Sequence, residues 1–384
     1  MITAANLLAP AAYPDRFAMF AALADHTERL HLLVDTLPPA LAALAARHPR
    51  LDVVELGPHR YARRACDWLH RRITALDVIH DTFGHLTEVF EAHGPDPRRR
   101  ARLLTTLYTS NPAWFARVRH HGHDLGRRYV AQRVIALWRD LRICPHADRV
   151  VVLGPGHAAD ITPLGVPEDR VTWLPSETDT DTFHPAPTPP RPGGPRLLYT
   201  GTVWRNKGVD LLLDITPALA RRHPDLELHL IGNVVPWERA WLAGATAAHP
   251  LGDRLHLPGR LPREALITRY RDADLFVFPS HFEGSPRSLR EALATGCRAV
   301  AADIPGCRGV DPAGDFIRYA PPGDRAAWTA AIDALLTEPP AAAAARAARG
   351  VAHLRAWHHP AAVAARYAAL YRQLLAAPPA AAHR

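Results

Sequence analysis

One lysine occurs in this 384-residue chain, Lys207 in "GTVWRNKGVD", among 46 lysines and arginines together. An ammonium is a compact charge on a flexible stem with three donors, suited to meeting an anion. A second group of chemically capable residues lies in "ADLFVFPSHFEGSPRSLREALATG", 273–296, where Glu283 and Glu291 flank a predicted helix start. The pattern reads as a strand ending at Pro279-Ser280 and a loop through Glu283-Gly284. Ser285 is then expected as helix N-cap and Pro286 as first helical residue. The first turn, with Arg287, Ser288 and Leu289, would turn its N–H groups toward an anion in the loop. Arg287 and Arg290 add positive charge. From Pro286 to Glu291 the helix rises roughly 7–8 Å, at ~1.5 Å per residue. That is about the step from a nucleotide's diphosphate to its ribose. A carboxylate at Glu291 can accept hydrogen bonds from both ribose hydroxyls, at ~1.5–3 kcal/mol each. Glu283, on the loop, can reach the group beyond the phosphates.

Such residues need a scaffold that brings loops together. Short apolar runs alternate with helical patterns: 6–10, 31–35, 51–56, 76–80, 102–108 and 149–154, with helices expected at 14–25, 38–48 and 60–74. Buried parallel strands read this way, because helices cover both faces. A βαβ series implies a doubly wound sheet with its ligand site at the strand C-termini. "HPAPTPPRPGGPR", 184–196, has six prolines and two glycines and cannot be helix or central strand. Alternation restarts with runs at 196–201, 226–232, 254–259, 275–280, 298–303 and 316–320. Helices follow near 324–337 and 341–356. A last amphipathic helix, 360–376, has Val363, Tyr367, Leu370, Tyr371 and Leu374 at helical spacing. The expected division is 1–184, a linker at 185–195, a second domain at 196–358, and a terminal helix and tail at 359–384.

The formal net charge is +8 and the pI about 9.7, so the surface attracts anions without selecting among them. The four cysteines form no C-x-x-C pair, so zinc spacing is absent. A disulfide framework is not expected in a chain this long, which points to a reducing cytoplasm. The start, "MITAANLLAPAAYPDRF", lacks a signal-peptide pattern. No run of 18 apolar residues could span a membrane. "RRYVAQRVIALWRDLR", 127–142, is basic and carries aromatics. Its apolar residues sit at helical spacing, which favours packing against the core. The same helix could instead dock on an anionic membrane, at the inner face, with a lipid-linked acceptor.

Over 148–376 the chain resembles the family 4 retaining glycosyltransferases of the GT-B fold. The resemblance is carried by "YTGTVWRNKGVDLLLD", "LELHLIGN", "LHLPGRLPREALITRYRDADLFVFPS", "EGSPRSLREALATGCRAVAADIPG" and "RAWHHPAAVAARYAALYRQLL". It implies two Rossmann-like domains facing across a cleft and a nucleotide-sugar held mainly by the second. It implies that Lys207 contacts the donor diphosphate together with the turn at Pro286, Arg287, Ser288 and Leu289. Gly201 and Thr202 open the same loop. Glu291 would hold ribose, with the backbone at Arg260 and Leu261 facing the base. Glu283 and the backbone of Gly284, Ser285 and Pro286 would hold the sugar. Glu283 and Lys207 are the residues implied to take part in chemistry. The donor would be a UDP- or GDP-sugar, with no further cofactor and no metal.

The chain departs from the family's pattern at several points. Thr202 stands where many members have arginine, with Arg205 nearby as a substitute. "APAAYPDRF" has no glycine where a glycine-rich loop is usual, and Ser176-Glu177 replaces a usual Asn-Gly. On the acceptor and sugar side either His80 or Tyr108 could contact the sugar. Asp179–Asp181 and Asp272–Asp274 form D-x-D triplets, read here as structural rather than metal-binding. The expected activity is transfer to a specialised small-molecule acceptor, with a cell-envelope polysaccharide or lipid-linked acceptor as alternative. Rivals are a sugar-nucleotide epimerase or phosphorylase on the same scaffold, and a basic nucleic-acid-binding protein without transferase activity. No nucleic-acid partner is expected for the transferase.

Overall fold

A computed structural model describes residues 2–7, 15–82, 85–96, 100–107, 111–112, 127–186 and 193–377. The chain divides into two compact units. Among the described residues, one comprises 2–112, 127–177 and 359–377; the other comprises 178–358. Residues 178–184, expected with the first domain, are thus grouped with the second unit. Of the Pro/Gly-rich stretch 185–195, residues 187–192 lie outside the described residues, as does most of "APAAYPDRF".

The first unit holds a seven-stranded parallel sheet in the order β3-β2-β1-β4-β5-β6-β7. Its strands are β1 (Thr3–Leu7), β2 (Arg29–Val34), β3 (Leu51–Glu55), β4 (Val78–Asp81), β5 (Arg102–Leu107), β6 (Arg149–Val152) and β7 (Val171–Trp173). The second unit holds a six-stranded parallel sheet, β10-β9-β8-β11-β12-β13. These are β8 (Arg196–Thr200), β9 (Glu227–Ile231), β10 (Leu255–Gly259), β11 (Leu275–Phe278), β12 (Arg298–Ala302) and β13 (Ile317–Ala320). Each unit is Rossmann-like, and the pair of them gives the GT-B class. The apolar runs became strands because every strand of a covered parallel sheet is buried on two faces. Leu275, Phe276 and Val277, for example, are fully buried.

Two strands depart from the pattern. β1 begins at Thr3, ahead of the run at 6–10, because Thr3, Ala4 and Ala5 carry little apolar signal yet pair in register with Arg29, Leu30 and His31. β7 was not expected. It is a half-buried edge strand of three residues, too short to show a period.

The helix Arg127–Ile143 corrects the packing reading of that segment. Val134, Ile135, Trp138 and Leu141 are 47–52% exposed. The face turned inward carries Asp140 and Ile143, with Leu137 packed against the core. Asn111 Nδ2 donates to the Asp140 carboxylate at 2.6 Å, and burial pushes that carboxyl up to about 6. Helical spacing defined a stripe but could not say which stripe faced the sheet.

The helix Pro360–Ala376 belongs to the first unit and buries Val363, Tyr367, Leu370, Tyr371 and Leu374, as its spacing predicted. It also overturns the sugar-contact reading of His80. That side chain is 2% exposed. Its Nε2 lies 2.7 Å from Thr106 Oγ1 and its Nδ1 2.9 Å from the Tyr371 hydroxyl, which donates to Asn6 Oδ1. With the tyrosine proton so used, Nδ1 carries the proton and Nε2 accepts from Thr106. Burial, helped by the Arg16 charge, pushes the imidazole down to about 3. His80 is therefore a neutral core residue with both nitrogens occupied. Tyr108, its alternative, lies outside the described residues.

This burial makes stability depend on pH. The folded pKa lies below the unfolded value of 6.5, so the unfolded chain takes up the proton first as pH falls. The His80 contribution is complete above pH 6.5 and is lost toward about 3, at up to ~1.4 kcal/mol per pH unit. Urea unfolding between pH 7 and 4.5 should show the wild type losing about 2 to 3 kcal/mol more than His80→Gln. Equal losses in the two proteins would refute the assignment.

Candidate functional site

β8 lies between β9 and β11 and pairs parallel with both, and the order in which the chain adds strands reverses at this point. Loops leaving the C-terminal ends of β8 and β11 emerge side by side at such a switch point, where α/β sheets bind ligands. The loop after β8 runs from Gly201 into a short 3-10 turn, Arg205–Lys207, and then the helix Val209–Arg222. The loop after β11 leads to the helix Arg287–Ala294.

The two loops touch. His281 N–H donates to Asn206 O at 3.2 Å. Gly208 has φ +71°, and a Cβ there would stand 2.3 Å from Pro279 O, so only glycine permits this approach. The contact sets Lys207 against Glu283: Nζ lies 2.6 Å from Oε1, and both side chains are half-buried. Residues 76 apart in sequence thus form one ion pair.

The helix start differs from the expected cap. Pro286 is the N-cap, extended at φ −70° and ψ 106°, and no side chain caps the helix. Ser285 Oγ instead accepts from Arg290 Nη1, whose Nε donates to Thr178 Oγ1 at 2.8 Å. Arg290 is 2% exposed and so braces the turn rather than facing a ligand. Arg287 Nε lies 3.2 Å from Glu291 Oε1, in the i,i+4 relation. Ser288 is half-buried and Leu289 is buried in the core.

Glu291 is 8% exposed and held from a second side. The Tyr270 hydroxyl donates to Glu291 Oε2 at 3.0 Å and lies 2.7 Å from Thr200 Oγ1. Burial, with the Glu291 charge beside it, holds the Tyr270 phenol well above its usual range. The phenol therefore stays a donor to the carboxylate. Tyr270 was missed in the sequence, where it reads only as an apolar position near a helix end.

Other expected residues are placed less directly. Gly201 and Thr202 are exposed at the mouth of the loop, and the Thr202 carbonyl accepts from the Tyr199 hydroxyl at 2.7 Å. Gly232 packs on this loop, where a Cβ would fall 1.8 Å from Gly201 O. Arg205 turns to the buried Glu238, Nε to Oε2 2.8 Å, and lies over Trp241. A phosphate contact would require it to leave that partner. Gly284 is buried beside Glu283. Gly232, Asn233, Leu257 and Gly259, with the helix Arg239–Ala247, line a cavity of about 660 Å³. Arg260, exposed, and Leu261, half-buried, follow Gly259 directly.

The D-x-D triplets do structural work. Asp179 accepts from Thr182 N, Thr182 Oγ1 and Arg263 Nη2, and Asp274 Oδ2 accepts from Arg196 N. Among the described residues, Glu227, His229 and His256 have donor atoms within 4.8 Å of one another. Arg196 Nε already occupies Glu227 Oε2 at 2.9 Å, so a cation there would have to displace a guanidinium. The group sits at the N-terminal ends of β9 and β10, away from the Lys207 loop.

Paired loops at the switch point of a parallel sheet mark the second unit as Rossmann-like. Residues 194–338 of it match the family model described as Glycosyl transferases group 1. The resemblance read from the motifs is met over that stretch. D-inositol 3-phosphate glycosyltransferase of Thermobispora bispora is 30% identical over 253 residues, 60% of this chain and 56% of that protein. The chain spans 38–56% of the length of the curated relatives it matches. Among solved structures, sucrose-phosphate synthase of Thermosynechococcus elongatus has a TM-score of 0.73 at 19% identity, covering 98% of this chain and 100% of that one. HepE of Anabaena, in complex with UDP-glucose, has a TM-score of 0.69 at 15% identity, covering 97% and 100%. These structures share the fold.

Tyr270→Phe should leave both Thr200 and Glu291 short of a buried partner. The expected cost is about 1–3 kcal/mol in urea unfolding. A variant as stable as the wild type would show that the hydroxyl does not anchor the carboxylate.

Proposed function

We propose that this protein is a glycosyltransferase that moves a sugar from a nucleoside-diphosphate donor, a UDP-sugar, to an acceptor hydroxyl. The transfer retains anomeric configuration and needs no metal ion. The observation that carries the reading is the convergence of Lys207, Glu283 and the start of the helix Arg287–Ala294 at one sheet edge, with Glu291 held further along. The match of residues 194–338 and the UDP-glucose complex of HepE support the donor class.

In this reading Glu291 accepts from the ribose hydroxyls with an oxygen count already trimmed by Tyr270. The base lies toward Arg260 and Leu261. The diphosphate meets the first turn at Pro286–Leu289 and takes the Lys207 ammonium from Glu283, one anion replacing another. Glu283, released, accepts from the sugar hydroxyls beside the backbone of Gly284–Pro286. Cleavage of the sugar–phosphate bond puts charge on the leaving diphosphate, and Lys207 offsets it. The acceptor hydroxyl adds on the same face, and its proton passes to the departing phosphate oxygen. The acceptor we favour is a specialised small molecule.

Calorimetry with UDP and GDP tests the donor assignment. Glu291→Ala should weaken binding roughly 10- to 100-fold, since two charge-assisted bonds are lost. Unchanged affinity would remove the ribose role. Lys207→Met should keep the fold and lower transfer by roughly 100-fold or more. Transfer should survive EDTA; loss of activity on chelation would return attention to Glu227, His229 and His256.

A further inference from the structure

Among the described residues seven large apolar side chains are exposed, and four of them share one helix, Arg127–Ile143. Val134, Ile135, Trp138 and Leu141 recur at helical spacing and fall within about 120° of arc. The helix also carries Arg127, Arg128, Arg133, Arg139 and Arg142 against one acid, Asp140. That acid is 6% exposed on the opposite face and bonded to Asn111, so it offers no negative charge outward. The Arg142 guanidinium lies 4.4 Å over the Trp138 ring and pairs with Glu91. Arg133 lies on the Asp140 side, where its Nη1 donates to Asn111 Oδ1 at 3.2 Å, while Arg139 and Arg142 border the stripe. An apolar stripe with an indole at its centre and guanidinium groups at its margin suits an apolar layer beneath an anionic one.

We propose that this helix docks the protein on a membrane surface containing anionic phospholipid. Ile135 and Trp138 enter the headgroup boundary, where indole rings concentrate, and Arg139 and Arg142 face phosphate. The exposed helix face Val134–Leu141 is only ~10 Å long at ~1.5 Å per residue. A stable dimer buries about 800 Å² per partner, more than so short a stripe supplies. A two-fold pairing would also set the arginines of both copies against each other. Nucleic acid would use the arginines but leave the aliphatic residues wet. The docking does not depend on the donor chemistry, which belongs to the other unit.

Flotation of the full-length protein with phosphatidylglycerol–phosphatidylcholine vesicles, against phosphatidylcholine alone, tests the proposal. At least roughly tenfold more protein should float with the anionic vesicles, and raised salt should reduce it. The double variant Ile135→Glu/Trp138→Glu should lose flotation while keeping its melting temperature and its affinity for UDP. Equal binding to neutral vesicles, or flotation of the variant, overturns the proposal. So does a dimer that the variant abolishes, or RNA binding, without vesicle binding. If the double variant fails to fold, wild type and Trp138→Phe are compared for quenching by brominated lipid. Quenching undiminished without Trp138 rejects the docking face.

Discussion

The second unit depends on one packing constraint, the approach of the Gly208 backbone to Pro279. Both loops leave the same edge of the sheet because β8 and β11 run parallel and pair directly. Their closeness requires a residue without a Cβ and with positive φ at 208. Once the backbones meet, Lys207 has Glu283 as its partner. The only lysine of the chain is thereby held near a helix start. A pair that is half-buried is neither fully screened by water nor so desolvated that it resists exchange with another anion. That intermediate setting suits a charge that must change partners, as the proposed transfer requires.

Glu291 illustrates a second kind of preparation, one that the proposed ribose contact would use. Its carboxylate is gripped on one oxygen by Tyr270 and on the other by Arg287. A buried acid fixed by two neighbours loses little freedom when a ligand arrives, which lowers the entropic cost of binding. The bracing continues outward through Thr200, Arg290 and Thr178, none of which needs to touch a ligand.

The first unit is organised around burial of polar groups that satisfy one another. Asn6, Tyr371, His80 and Thr106 form a chain of hydrogen bonds that ties the terminal helix to β1, β4 and β5. A neutral histidine fits there because a charged one would cost far more to desolvate. The helix Arg127–Ile143 divides its surface differently: a mixed face inward and an apolar face outward. Core packing alone accounts for the first face and leaves the second for another environment.

The amino-acid sequence alone determined the alternation of strands and helices, the parallel sheets and the segment around Lys207, Glu283 and Glu291. Those features are local: apolar runs, a Pro-Ser turn and a glutamate spacing are written in consecutive residues. Tertiary structure decided the rest. No local signal says that Tyr270 reaches Glu291 across 21 positions, that Tyr371 closes on His80 across 291, or that Arg205 turns to Glu238. It also chose which stripe of the helix Arg127–Ile143 faces the core, because periodicity fixes the angle between side chains and leaves the direction of the core to the packing of distant elements.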